Sequence, residues 1–164
     1  MKKALIAATA VAAALVAAPA MAQDISWYGS AGYQVLDDDT FNFGAIDLRV
    51  GGRSQHFGVE LDGAFGVQGD DVLGIDVDMN HSIGLYAVGF LPVSDQFELI
   101  GRVGVANTEF EVLGVTGDDD SINYGIGAQW SWNENNAVRG DYTFMDFDSG
   151  GDANQFTLSY VRKF

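Results

Sequence analysis

The chain has no cysteine and only two prolines, Pro19 and Pro92, among its 164 residues. Without thiols there is no disulfide, no zinc–thiolate site and no thiol nucleophile. Basic residues are scarce, with eight Lys and Arg against 23 Asp and Glu. So acidic a surface repels phosphate backbones, so no nucleic-acid partner is expected. Beyond residue 22 no apolar run approaches the roughly 20 residues that a membrane-spanning helix needs. Disorder does not follow from the charge, because 48% of the residues are hydrophobic and can build a fold.

What is present begins with a targeting segment. Lys2 and Lys3 precede an apolar stretch, Ala4 to Ala18, which is too short to span a bilayer. Pro19 ends it, and Ala20-Met21-Ala22 offers the small-x-small pattern of signal cleavage. Residues 1–22 are therefore expected to be a cleaved signal peptide, leaving 23–164 as one domain. Six Lys and Arg then face 23 acids, a net charge of −17. If such a chain meets a bilayer, it does so as a closed barrel, because open strand edges cannot be satisfied in lipid.

Read with a period of two, the mature chain divides into eight strand-length segments. The first, Ile25 to Leu36, sets Trp27, Ala31, Tyr33 and Val35 against Ser26, Tyr28, Ser30 and Gln34. The second, Phe41 to Gly51, opposes Ile46, Leu48 and Val50 to Asp47 and Arg49. The third, Phe57 to Val67, opposes Val59, Leu61 and Phe65 to Glu60 and Asp62. His81 to Phe90 and Phe97 to Ala106 follow, the latter with Leu99 and Val103 against Glu98 and Arg102. Ser121 to Trp130, Ala137 to Met145 and Ala153 to Phe164 complete the set, with Arg139 and Asp141 on the polar face of the seventh. The connections Gly52–His56, Pro92–Gln96 and Ser131–Asn136 are short. Asp37–Thr40, Gln68–Asn80, Asn107–Asp120 and Asp146–Asp152 are acidic and mostly longer, and Val72, Ile75 and Val77 in the second and Phe110, Val112 and Val115 in the third hint that the strands extend above the membrane. Short turns at one end and long loops at the other are the asymmetry of an outer-membrane barrel with periplasmic termini.

Two barrels fit this alternation. A soluble lipocalin-like calyx points its apolar face inward, whereas a membrane barrel points it outward. The polar face favours the membrane barrel. It carries both signs of charge, which can pair across a narrow lumen, while an Arg facing the lipid midplane costs about 2–4 kcal/mol. Aromatic residues near strand ends resemble interfacial girdles: Trp27, Phe57, Phe97, Trp130 and Tyr160 towards the turns, and Tyr33, Phe43, Phe65 and Phe144 towards the loops. The expected fold is an all-β, eight-stranded, antiparallel, up-and-down transmembrane β-barrel.

Several stretches resemble the small eight-stranded outer-membrane barrels, a family that includes the transmembrane domain of outer-membrane protein A. They are Phe57-Gly-Val-Glu-Leu-Asp-Gly63, Ile83-Gly-Leu-Tyr86, Phe97-Glu-Leu-Ile-Gly-Arg-Val-Gly104, Tyr124-Gly-Ile-Gly-Ala128, Val138-Arg-Gly-Asp-Tyr142 and the final Phe164. The resemblance covers residues 23–164 and implies a bacterial outer-membrane location. It also implies contact with outer-membrane lipid and lipopolysaccharide, and recognition by the barrel-assembly machinery through Tyr160 and Phe164. Members typically end aromatic-x-Phe, and this chain has Arg162 in the aromatic position. No peptidoglycan-binding segment follows the barrel in this sequence, so cell-wall anchoring is not implied.

Candidate chemistry falls in three places. Asp47, Arg49, Glu60, Asp62, Glu98, Arg102, Arg139 and Asp141 form the expected lumen charge network. It is read as a salt-bridged plug, with a narrow passive pore as the alternative. His81 and Ser82 suggest hydrolysis, but neighbours on a strand face opposite sides, and His56 has no evident Ser partner, so no catalytic residue is assigned. The loops gather Asp37 to Asp39, Asp70, Asp71, Asp76, Asp78, Glu109, Glu111, Asp118 to Asp120, Asp146, Asp148 and Asp152. These either bind Ca²⁺ or Mg²⁺ weakly or simply solvate the outer surface, and there is no EF-hand spacing and no dedicated metal site. No cofactor is expected. The function expected is a structural or surface-interaction role.

Overall fold

The computed structural model describes residues 25–38, 41–68, 70–72, 75–112 and 115–164. The signal segment 1–22 and Asp39 lie outside them. The strands are β1 (Ser26–Asp38), β2 (Phe41–Arg53), β3 (Phe57–Gln68), β4 (Asp70–Val72), β5 (Ile75–Pro92), β6 (Phe97–Val112), β7 (Val115–Asn133), β8 (Asn136–Phe147) and β9 (Asp152–Lys163). β3 and β4 run one after the other along β5, so nine strands fill eight positions. All pairings are antiparallel, β1 pairs with both β2 and β9, and the β3–β5 ladder closes the barrel.

The parity of each strand sets which way its side chains point. Ile126 is 71% exposed on the outer wall, while Asp47 and Glu60 are wholly buried inside. This inverts the burial order of a soluble protein and excludes the soluble calyx. On β6 the outward positions from Phe97 to Val105 carry no charge. Eight steps of about 3.3 Å, tilted by ~40°, give a band about 20 Å tall, close to the lipid-facing band of such barrels.

The structure settles one open point of the sequence reading and departs from it in another. Gln68–Asn80 and Asn107–Asp120 are not wholly loops. β6 and β7 stay paired from Phe97↔Trp130 up to Val112↔Val115, and β4 pairs with β5. β5, β6 and β7 reach 18, 16 and 19 residues where β1 and β8 have 13 and 12, so this part of the wall projects beyond the rest. Secondly, Phe43 is not part of the outer girdle. It shares parity with Asp47 and Arg49, and it is buried inside against Phe110, with ring centroids 6.0 Å apart.

Two tyrosines fill the lumen by lying across glycines of the neighbouring strand. Tyr28 pairs with Gly51, and Tyr86 with Gly104. A methyl group on Gly51 would meet the Tyr28 ring, with its Oη 2.5 Å away, and one on Gly104 would meet Tyr86 Cδ1 at 2.6 Å. Only glycine admits so close an approach.

A ring of alternating charge inside the lumen

The central layer of the lumen is polar, built from inward positions of β2, β3, β6 and β8. Arg49 Nη1 donates to Asp141 Oδ2 at 2.7 Å, and its Nε lies 3.2 Å from Asp62 Oδ2. Arg102 Nη2 donates to the same Asp62 oxygen at 2.5 Å and lies 3.9 Å from Glu60 Oε2. Arg139 donates to Glu60 from Nη1, and its Nε lies 2.9 Å from Asp141 Oδ1. The order Arg49–Asp62–Arg102–Glu60–Arg139–Asp141 therefore returns to Arg49, a closed ring of three cations and three anions. Asp47 attaches from outside the ring, with its carboxylate 3.0 Å from Arg49 Nε.

These groups are screened from water, so the ring is held by direct contacts rather than solvation. Polar neighbours extend it. Tyr28 donates to Glu60 at 2.6 Å, Asn123 donates to the Tyr86 hydroxyl at 2.7 Å, and Gln155 donates to Gln34 at 2.8 Å. The Arg102 guanidinium lies 3.7 Å from the Tyr86 ring centroid, a cation–π contact.

Seven of the eight charged residues expected in the lumen meet in this layer. Glu98 does not. It sits at the turn-side mouth, where Arg53 donates to both its oxygens at 2.8 and 3.0 Å and Gln129 donates at 2.6 Å. Sequence reasoning missed Arg53 because it fell in an expected turn. Its guanidinium also covers the Phe90 ring at 3.7 Å. Lys163, at the same mouth, donates to Ser131 Oγ at 2.9 Å.

Apolar layers lie on both sides of the ring. Towards the loops, Leu36, Phe43, Ala45, Met79, Met145 and Phe147 pack together with Phe110. Towards the turns, Tyr28, Val88, Phe90, Ile100 and Val161 do the same. A void of about 10 Å³ lies beside Gln34, Asp62, Tyr86 and Gln155, about the space of one water. On the outside an open apolar concavity runs past Val50, Leu61, Leu85, Val103 and Ile126.

The remaining candidates separate. His81 faces outward and its Nδ1 lies 3.8 Å from Glu109, whereas Ser82 Oγ is 2.9 Å from Thr108 Oγ1, so the two form no nucleophile–base pair. In the projecting hairpin Asn107 donates to Asp120 at 3.1 Å and to Asp118 at 3.4 Å. Among the described residues no group of three or more acids, His or Cys converges as a cation site would require. Tyr160 and Phe164 are exposed on the outer face.

An apolar outer wall, an interior filled by side chains around a charged layer, short turns and a projecting hairpin define an eight-stranded barrel of the bacterial outer membrane, whose wall contacts membrane lipid. The chain belongs to the outer membrane protein beta-barrel domain family, whose model matches residues 8–164. No curated protein matches it. Solved structures share its fold. Ail, the attachment invasion locus protein of Yersinia pestis, is 17% identical with a TM-score of 0.65, covering 87% of this chain and all of that one. OprG of Pseudomonas aeruginosa is 14% identical with a TM-score of 0.68, covering 85% of this chain and 95% of that one. The N-terminal barrel of OprF from the same organism is 12% identical at 0.65, covering 85% and 97%.

Proposed function

We propose that this protein is a closed, non-conducting and non-catalytic barrel that carries acidic hairpins on the cell surface. The observation behind this reading is the lumen filling, in which a closed charge ring lies between two apolar layers. An ion crossing it would have to break ring contacts and then leave water for an apolar layer at either end. Export through a signal at residues 1–22 and assembly through exposed Tyr160 and Phe164 belong to the same proposal.

The sign of the hairpins sets the partner class. Ail was solved with sucrose octasulfate, a heparin analogue. A polysulfated ligand needs basic side chains, and the hairpin at 107–120 carries Glu109, Glu111, Asp118, Asp119 and Asp120 with no Lys or Arg. Its partner is therefore cationic: a basic protein segment, or divalent ions held loosely between these acids and lipopolysaccharide phosphates. Recordings in planar bilayers test the closed lumen. The expected trace is flat, and stable, reproducible unit conductance would restore the narrow passive pore.

A further inference from the structure

Among the described residues, Arg49, Arg53, Arg102 and Arg139 each lie within ion-pair distance of a carboxylate inside the barrel. Arg162 is different in every respect. It is exposed, and it follows Phe156, Leu158 and Tyr160 on the outward parity of β9. It is the only Lys or Arg on the outer wall among the described residues, and no ion pair involves it there. It stands at the turn-side edge of the apolar band, opposite Gly29 of β1 and Asn136 of β8.

The side chain is also held in place. Asn136 Oδ1 accepts from Arg162 Nη1 at 2.9 Å and from the Tyr160 hydroxyl at 2.5 Å, while Asn136 Nδ2 donates to Asn133 Oδ1 at 2.7 Å. Tyr160 in turn stacks on Trp132 with centroids 5.9 Å apart, and Trp132 on Trp130 at 6.1 Å. One guanidinium donor is thereby engaged and the others remain available. Aromatic rings of this kind settle at headgroup depth. A guanidinium forks onto phosphate oxygens and cannot lose its charge. Short turns face the periplasm, where the inner leaflet presents phospholipid.

We propose that Arg162, oriented by Asn136 and backed by the Tyr160–Trp132 stack, binds the phosphodiester of an inner-leaflet phospholipid. The lipid's acyl chains lie against the neighbouring apolar wall. The test is native mass spectrometry of the folded protein in detergent with phosphatidylglycerol, with diacylglycerol of the same chains, and with inorganic phosphate. Wild type should retain one phosphatidylglycerol in preference to diacylglycerol. Arg162→Gln should weaken that retention about tenfold, the worth of one charge-assisted hydrogen bond, and Arg162→Lys should weaken it less. Equal retention of both lipids by wild type would overturn the proposal without any variant, because acyl chains alone would explain binding. Unchanged retention by Arg162→Gln that still shows the heat-dependent mobility of a folded barrel would overturn it too. So would displacement of the lipid by millimolar phosphate, which would mark a free-anion site.

Discussion

Arg139→Met removes one cation from the ring while keeping much of the side chain's bulk. The lost contacts are those to Glu60, from Nη1 and from Nη2 at 3.3 Å, and those of Nε to both Asp141 oxygens at 2.9 Å. Neither carboxylate is left wholly alone. Glu60 keeps the Tyr28 hydroxyl at 2.6 Å and Arg102 at 3.9 Å, and Asp141 keeps Arg49 at 2.7 Å. Breaking a buried pair from one side costs about 3–5 kcal/mol, and these surviving partners put the loss near the lower end, about 3 kcal/mol. Equilibrium urea unfolding in phospholipid vesicles measures it. Glu60→Gln supplies the cycle, since Arg139→Met with Glu60→Gln removes the stranded charge along with its partner. The double variant should lose less than the two singles together by about 1–2 kcal/mol. If the single losses simply add, to within about 0.5 kcal/mol, then Arg139 and Glu60 do not act through one another and the ring reading fails.

Gly51→Ala should cost about 1–3 kcal/mol in the same assay, because the new methyl drives the buried Tyr28 ring away from Glu60. Combining it with Tyr28→Leu should bring the loss below the sum of the two single variants, and strict additivity would show that the ring is not what the methyl meets. Phe147→Ala opens the loop-side apolar layer, where its ring stands 6.0 Å from Phe110. It should cost about 3 kcal/mol by urea unfolding, and a loss under about 1 kcal/mol would mean that this layer is not packed as a core.

The outward and inward faces were legible because alternation is a local property of a strand. Most of the eight segments had one apolar and one polar parity, and the two signs of charge on the polar parity then marked Asp47, Glu60, Asp62 and Arg139 as lumen groups. The lumen's apolar layers were not legible. Val88, Phe90, Ile100 and Val161 lie on the inward parity, so near them both faces of a strand read as apolar. The projecting hairpin was legible only as a hint, in Phe110, Val112 and Val115, for the opposite reason. Asn107, Glu109 and Glu111 alternate with Thr108 and Phe110, so neither face is apolar enough to announce a strand, and the ladder continues there through backbone pairing. Arg53 and Glu98 show a third limit, since their partnership depends on barrel closure across residues far apart in sequence.

The scarcity of base in this chain and the character of its surface are one fact seen at two scales. A lumen this narrow has no room for bulk water, so each carboxylate there requires a guanidinium within direct reach. Four arginines meet that requirement, three in the ring and Arg53 at the mouth. Lys163 faces the same mouth, and Arg162 stands on the wall at the membrane edge. No Lys or Arg then remains for the projecting hairpins, and among their described acids Asp118 and Asp120 face solvent. Their field is screened beyond about 8 Å at physiological ionic strength, so it acts only at close range. The paired interior and the anionic exterior thus follow from how a few arginines are distributed between the two faces of one sheet.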